Sequence, residues 1–299
     1  ASFKLVTMAS NLEESQSKVN VVFGEAADVV NEFADTSAQA FGITKQAALE
    51  ATGTFGNLLQ AFGTGKGQAA EMSTTLIGLA ADLASFNNTG IEDAIQALRS
   101  GLSGETEPLK RFGVAINDVR LKQEAVTLGL YDGKGALDIN AKTQAAYALI
   151  LKDTSLAQGD FARTSDGFAN QMRILKASLS DAATELGTIL LPYFKQFIIY
   201  VNQNIIPGVL MFAKTLGEEG LGNALAVAAA AMGDFGISAI DTLENMYVGM
   251  LQFTAGVAKT VRILADGIAL GAAVSKNPLL AAQALAAAIA ASNIQEAAE

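Results

Sequence analysis

Apolar side chains recur at helical spacing through the first part of the chain. The first such stripe has intervals of four and three residues, which place its members on one face of a helix: Val19, Phe23, Ala26, Val30 and Phe33. Gly42 is predicted to end this helical region, and Thr44 to cap the next helix, which runs to about Phe62. A third helix is predicted to end at Phe86, where Asn, Thr and Gly residues follow.

The pattern changes between Gly113 and Asn140. Two short β-prone runs, Val114–Ile116 and Leu137–Ile139, flank a predicted helix near residues 118–128. Because short apolar runs suit either a strand or a helix, a small two-stranded ribbon is one interpretation of this region.

The most regular pattern is a heptad repeat that follows Gly159. Its apolar positions alternate at intervals of four and three residues over three heptads: Phe168, Met172, Leu175, Leu179, Ala182, Leu186 and Ile189. A repeat of 3.5 residues keeps a seam facing a partner helix, so these residues are predicted to form a coiled-coil-like self-association seam. Three heptads are few, and a helix buried in the core of the same chain is the alternative. Pro192 is predicted to end this helix.

After Pro192 the predicted helices lose their polar faces. Gln196–Ala213 and Asn277–Gln295 contain eighteen and nineteen residues without a charge. Both reach about the 20 residues that span a bilayer, but polar residues and Pro interrupt them. Gly267 and Gly271 have the spacing that allows close helix approach in membranes. Membrane-competent helices and helices buried in protein are both open interpretations.

Composition divides the chain at the same place. Charged residues make up 37 of residues 1–185 (20%) but 13 of residues 186–299 (11%). We therefore expect a helical region over residues 1–190 and a hydrophobic, Ala-rich helical region over residues 191–299. The chain begins without Met and ends in an Ala-rich run, so we also expect a segment of a longer protein.

Candidate chemistry is scarce in this sequence. The absence of His and Cys removes the commonest general base, thiolate nucleophiles, thiolate metal sites and the commonest metal ligand. The net charge of −10 argues against a grip on nucleic-acid phosphates. Gly63–Gly67 lacks the residue pattern of a phosphate loop, and adjacent carboxylates such as Glu92 and Asp93 point in different directions on a helix. We expect no enzyme activity, cofactor or metal.

A glycine-rich segment is predicted to form a structural turn. We call its six marked residues the core-region turn motif: Gly101, Gly104, Glu105, Glu107, Pro108 and Gly113. The glycines are predicted to allow turns that side chains would obstruct, and the other three residues to mark the start of a short helix. Ordinary loop residues are the alternative.

Four segments, in order, resemble the core region of phage tail tape measure proteins. They are FGITKQAALEATGTFGNLLQAFG from Phe41, AEMSTTLIGLAADLASFNN from Ala70, GLSGETEPLKRFGVAI from Gly101, and GDFARTSDGFANQMRILKASLSDAATELGTILLP from Gly159. They cover about half of the chain. The apolar residues after Pro192 look like the hydrophobic region that follows this core in many members of the family.

The resemblance implies a mainly α, elongated helical assembly that acts as a structural virion protein. Such a protein sets tail length, lies in the tail tube lumen or tail tip, and is released into the host cell envelope to help deliver DNA. The implied partners are tail tube proteins, tail-tip or baseplate hub proteins, tail assembly chaperones, the host membrane, and further copies of itself as a trimer or higher oligomer. DNA follows it without being specifically bound.

Two other classes remain open on the residues alone. A helical pore-forming membrane protein would insert its second part and keep its first part soluble. An enzyme with a carboxylate-only site, such as one that cleaves peptidoglycan, would need converging acidic residues, and helical spacing offers no candidate pair.

Overall fold

The structure is a computed structural model that describes residues 2–218. It is mainly α-helical, as predicted, and the described residues contain no β-strand. The helices are α1 (Ser2–Phe23), α2 (Ala27–Phe41), α3 (Lys45–Ala61), α4 (Lys66–Phe86), α5 (Ile91–Leu102), α6 (Asp118–Thr127), α7 (Ile139–Asp153), α8 (Asp160–Arg163), α9 (Phe168–Tyr200) and α10 (Ile206–Glu218). Short 3₁₀ segments at Gly24–Ala26 and Glu107–Phe112 and a π-helical turn at Val201–Ile205 connect some of them. Asn277–Gln295 and the Gly267/Gly271 pair lie outside the described residues.

Several helix ends lie where local sequence signals place them. Gly42 ends α2 with a φ of 64°, a left-handed conformation that glycine adopts without steric cost. The side chain of Thr44 accepts a hydrogen bond from the Ala47 amide at 3.1 Å, and so caps α3 as predicted. Helix α4 ends at Phe86, also as predicted.

The predicted two-stranded ribbon is wrong. Ile139 begins α7 rather than ending a strand, because the Asp138 side chain caps that helix by accepting from the Ala141 amide at 3.0 Å. The Ala115 amide donates to the Asp153 carboxylate at 3.2 Å instead of to a neighbouring strand. Side chains therefore satisfy backbone groups that a ribbon would have paired.

The chain divides into two compact units, Ser10–Thr184 and Ala1–Ala9 with Glu185–Glu299. The division falls a few residues before the predicted boundary at 190/191. In the first unit, which we call the body, α4 is the central helix and packs against α2, α3, α5 and α8. Its large apolar residues, such as Leu76, Ile77 and Leu83, are fully buried. Burial of this kind is the main stabilising contribution to such a fold.

In the described part of the second unit, the backbones of α1 and α9 approach each other closely. A Cβ atom placed on Gly187 of α9 would lie 2.0 Å from the carbonyl oxygen of Leu5 in α1. Only glycine allows this contact. Helix α9 also continues past Pro192 to Tyr200, so the predicted end of the helix at this proline is wrong. The surrounding turns hold the helix although Pro192 has no amide hydrogen to donate.

Candidate functional site: the two faces of α9

Asp82 of α4 joins the second resemblance segment to the fourth. One carboxylate oxygen accepts from the Gly159 amide at 2.7 Å and the other accepts from the Phe161 amide at 3.0 Å. Burial raises the pKa of Asp82 above its usual range, although the two amide hydrogen bonds act in the opposite direction. This carboxylate fixes the turn that leads into α8 and, beyond it, α9.

A buried amide joins the start of α9 to the end of α4. Asn170 is only 3% exposed. Its Nδ2 donates to Ser85 Oγ at 3.0 Å and to Thr164 Oγ1 at 2.9 Å, while its Oδ1 accepts from Arg173 at 2.7 Å. Arg173 also donates to the carbonyl oxygen of Thr89 at 3.1 Å. Both polar atoms of the buried Asn170 side chain are therefore paired, as buried polar groups require.

A third contact lies further along α9. The Asp181 carboxylate accepts from the Lys45 amide with its two oxygens at 3.0 and 3.1 Å, next to the Thr44 cap of α3. Burial raises the pKa of Asp181, and the contact with Lys45 lowers it in part. Gln39 donates to Ser178 Oγ at 3.1 Å in the same region. Polar contacts therefore hold the inner face of α9 to the body.

The predicted self-association seam lies on the opposite face of α9. Phe168, Leu175 and Leu179 are 83%, 50% and 63% exposed, and Met172 and Ala182 are exposed as well. Within the part of the chain that the structure describes, these five side chains are therefore not buried in a core. Leu186 and Ile189, which belong to the second unit, are partly buried.

The core-region turn motif adopts a defined structure. Gly104 and Gly113 have φ values of 96° and 82°, which side chains rarely adopt. Glu107 and Pro108 begin the 3₁₀ segment, and Glu107 pairs with Lys110 at 2.6 Å. The Glu105 amide, just before this segment, donates to the carbonyl oxygen of Ser100 at 2.9 Å.

Gly101 has a different role from the one predicted. It lies inside α5 rather than in a turn. A Cβ atom at this position would come within 2.2 Å of the Leu109 side chain, which is fully buried. The glycine therefore allows the 3₁₀ segment to pack tightly on α5.

An open groove of about 530 Å³ lies in the body beside the inner face of α9. Apolar side chains such as Phe55, Ile95 and Phe161 line it, and Arg99 and Lys176 are among its charged residues. No group of three or more Asp, Glu, His or Cys residues suited to a metal ion occurs within residues 2–218. The sequence did not point to this groove.

One continuous helical stretch, Phe168–Leu216, is long and apolar enough to cross a membrane. It contains the uncharged Gln196–Ala213 segment, and a window within it has a mean hydropathy of 1.2. Exposed apolar residues on this stretch include Ile199, Val209 and Leu210. The criterion uses length and composition alone, and core helices of some soluble proteins meet it as well.

The residues that connect α9 to the body were not predicted from the sequence, although one feature of the sequence marks them. Asp82 and Ser85 lie in the otherwise apolar stretch LIGLAADLASF. An isolated carboxylate among buried side chains needs hydrogen-bond donors, so it indicates a partner elsewhere in the chain. Comparisons with protein-family models, curated proteins and solved structures found no match to this chain.

Proposed function

We propose that this chain is the core region of a phage tail tape measure protein, with the hydrophobic helices that follow it. Its proposed work is mechanical: it helps set tail length in the tube lumen and leaves ahead of the DNA at ejection. It acts without a catalytic group or cofactor. Tube, tail-tip and chaperone proteins are its proposed partners.

The observation that carries this proposal is the way the resemblance segments meet. Asp82 in the second segment binds amides of the fourth segment, and Lys45 in the first segment donates to Asp181 in the fourth. Within the third, Gly101 provides the space for Leu109. Residues of the four resemblance segments thus hold one folded body together. This supports the view that the four segments form one inherited module.

The body has a consequence for how such a protein measures length. A continuous helix adds about 1.5 Å per residue, so an extended segment converts residue number into length. Helices that pack against one another do not add their lengths. The body is therefore proposed as an anchoring module, and the ruler as an extended section of the full-length protein.

Electron microscopy of tails with in-frame deletions tests the proposal. Deletion of whole heptads from an extended section of the full-length protein is expected to shorten tails in proportion to the residues removed. The variant Asp82→Ala, which damages the body, is expected to reduce the number of tails without setting a new length. Tails of unchanged length after the heptad deletions, or absence of the chain from purified tails, would contradict the proposal.

A helical pore-forming protein is the second candidate, and the Phe168–Leu216 stretch favours it. In that case the purified full chain, without tail components, would release dye from lipid vesicles and would not be found in virions. Substitution of Leu210 by Asp would abolish the release because a charge at the centre of a membrane helix is costly. Val119→Asp, at an exposed site on α6, is the matched control.

A further inference from the structure

The groove in the body lies between two helices that run in the same direction. Helices α3 and α5 both pack on α4. Short turns over residues 62–65 and 87–90 join them to opposite ends of α4, so both run back along α4. The groove between them has Ala81 and Ala84 of α4 in its lining, and α9 contributes Lys176 and Ala177 at one side. The groove is therefore an open slot between two helices, above a third.

The walls of this groove have a helical repeat. Each wall presents residues at intervals of four: Ala47, Ala51 and Phe55 on α3, and Ile91, Ile95 and Arg99 on α5. Residues spaced by four form a ridge along a helix, and another helix packs into the space beside such ridges. Each ridge extends over eight residues, which is about 12 Å or two turns. Because alanines line the groove on α4, they leave room for a helix to approach closely.

Five charged side chains line the groove, and the basic ones are in excess: Arg99, Arg173 and Lys176 against Glu50 and Glu92. Both arginines donate only to neutral acceptors. None of the five charges takes part in an ion pair within residues 2–218. The whole chain has a net charge of −10, so the sign of the charge is reversed at this groove. A local excess of one sign favours a partner of the other sign.

We propose that the groove binds an acidic, amphipathic helix of another protein. In this mode of recognition the apolar face of a helix enters the groove through residues spaced by three and four. Lys176 lies on α9, which contacts the start of α3 through Asp181 and Lys45. Arg99 lies two turns along α5, so the basic side chains are placed at both ends of the groove. Two carboxylates seven residues apart on a bound helix, about 10.5 Å, match this separation.

The apolar and charged residues have different effects in this contact. Burial of the half-exposed Ile91, Ile95 and Ala51 provides the affinity, because these side chains leave water on binding. The exposed cations Lys176 and Arg99 determine mainly which partner binds. This inference does not depend on the tape measure proposal, because its test needs only the purified full chain and synthetic peptides.

Binding of two matched peptides tests the proposal. The acidic peptide has about 15 residues, with Leu at intervals of three and four along one face and two Glu seven residues apart beside it. The basic peptide has Lys in place of both Glu. Fluorescence anisotropy of the labelled peptides measures both affinities at one salt concentration. The natural chain is expected to bind the acidic peptide at least about tenfold more tightly.

A bulky substitution tests whether the peptide lies in the groove. Ala51→Phe places a ring in the open space and is expected to weaken binding of the acidic peptide at least about tenfold. Ala136→Phe, in the exposed loop before α7, is the matched control and is expected to leave binding unchanged. Circular dichroism checks that both variants remain folded.

Reversal of the two cations tests the charge selection without a change in the core. Lys176→Glu/Arg99→Glu is expected to invert the preference, so that the basic peptide binds more tightly than the acidic one. Lys122→Glu/Lys134→Glu changes the net charge equally at exposed sites on α6 and the loop that follows it. This control is expected to keep the preference of the natural chain.

Three results would overturn the proposal. The first is equal binding of the acidic and basic peptides to the natural chain. The second is binding of the acidic peptide that Ala51→Phe leaves unchanged, because the peptide would then lie elsewhere. The third is a natural chain that binds neither peptide. Failure of a thiol reagent to reach Ala51→Cys would then show that another part of this chain or a second copy covers the groove.

Discussion

Helices α5 and α9 bury opposite kinds of side chain. Helix α5 buries Ala97 and Leu98 and exposes Glu92 and Gln96, the usual arrangement for a helix at the surface of a body. Helix α9 buries Asn170 and exposes large apolar residues. The first helix is held by removal of apolar surface from water. In the second, hydrogen bonds add to the apolar contacts of Ala177 and Ile174.

The two kinds of buried side chain suit different roles for the two helices. A buried amide or carboxylate stabilises a structure only when its donors and acceptors are matched, as those of Asn170 and Asp181 are. Such contacts fix position while leaving the apolar face free. Helix α5 completes a core, whereas α9 presents a surface.

A Leu→Ala substitution made in both helices is expected to give the largest difference in unfolding free energy. Leu98→Ala is expected to cost about 2–5 kcal/mol of unfolding free energy, because Leu98 is fully buried and a cavity would remain. Leu175→Ala is expected to cost less than about 0.5 kcal/mol in dilute, unassociated protein. Urea unfolding monitored by circular dichroism measures both. Similar losses for the two variants would show that Leu175 belongs to the core.

Removal of the Asp82 carboxylate is expected to have the next largest effect. Asp82→Ala leaves the Gly159 and Phe161 amides without their acceptor, at a cost of about 2–4 kcal/mol. Asp132→Ala is the control, because that exposed carboxylate accepts from a single amide, that of Lys134. The urea midpoints of the two variants should differ clearly. Equal midpoints would show that Asp82 does not stabilise the connection between α4 and the turn before α8.

Removal of Asp181 tests the inner face of α9 alone. Asp181→Ala is expected to cost about 1–2 kcal/mol, because the Lys45 amide at the start of α3 loses its acceptor. The exposed Asp166→Ala, close to the start of α9, is expected to change stability little. Hydrogen exchange should show faster exchange at the beginning of α3 in the Asp181 variant only. Unchanged exchange there would contradict the contact.

The smallest expected effect depends on pH. The Arg120 guanidinium, bonded to both oxygens of Asp153 at 2.7 Å, lowers the pKa of that carboxyl below its usual range. The stability from this pair is therefore present above the unfolded pKa, near 3.8, and is lost as the pH falls through the lower folded value. Asp153→Asn should be about 1 kcal/mol less stable than the natural chain at pH 7.

The same difference should shrink as the pH falls below 3.8 and the natural Asp153 becomes protonated as well. Asp82 and Asp181 act in the opposite sense: burial raises their pKa values, so their protonation favours the folded state. Urea midpoints of both chains between pH 7 and 3 give the comparison. A difference that grows on acidification would contradict the Asp153–Arg120 assignment.

The helix ends and the apolar stripe of α9 could be predicted because their signals are local. Gly42 and Thr44 act on the turns next to them, and the seam repeats within one helix. The ribbon prediction failed because Val114–Ile116 is held by Asp153, which lies 38 residues from Ala115 and which no local pattern could identify. Pro192 failed as a helix end because a proline removes a single amide donor, and the turns on either side of it are still helical.

Only part of the candidate site could be predicted, for the same reason. Spacing identified the seam residues of α9 but could not show which face of the helix the body would cover. That choice depends on Asp82, Ser85 and Asp181, whose partners lie far along the chain. Distant polar contacts of this kind become visible only once the helices are packed.

A single-cysteine scan along α9 tests the central claim most directly. Each residue from Met172 to Thr184 is replaced in turn by Cys in the otherwise Cys-free chain, and the rate of reaction with a thiol reagent is measured at dilution. We expect a 3.5-residue period, with fast reaction at positions 172, 175 and 179 and slow reaction at Ala177 and Thr184. Fast reaction at Ala177 and Thr184 with protection at Leu175 would contradict it.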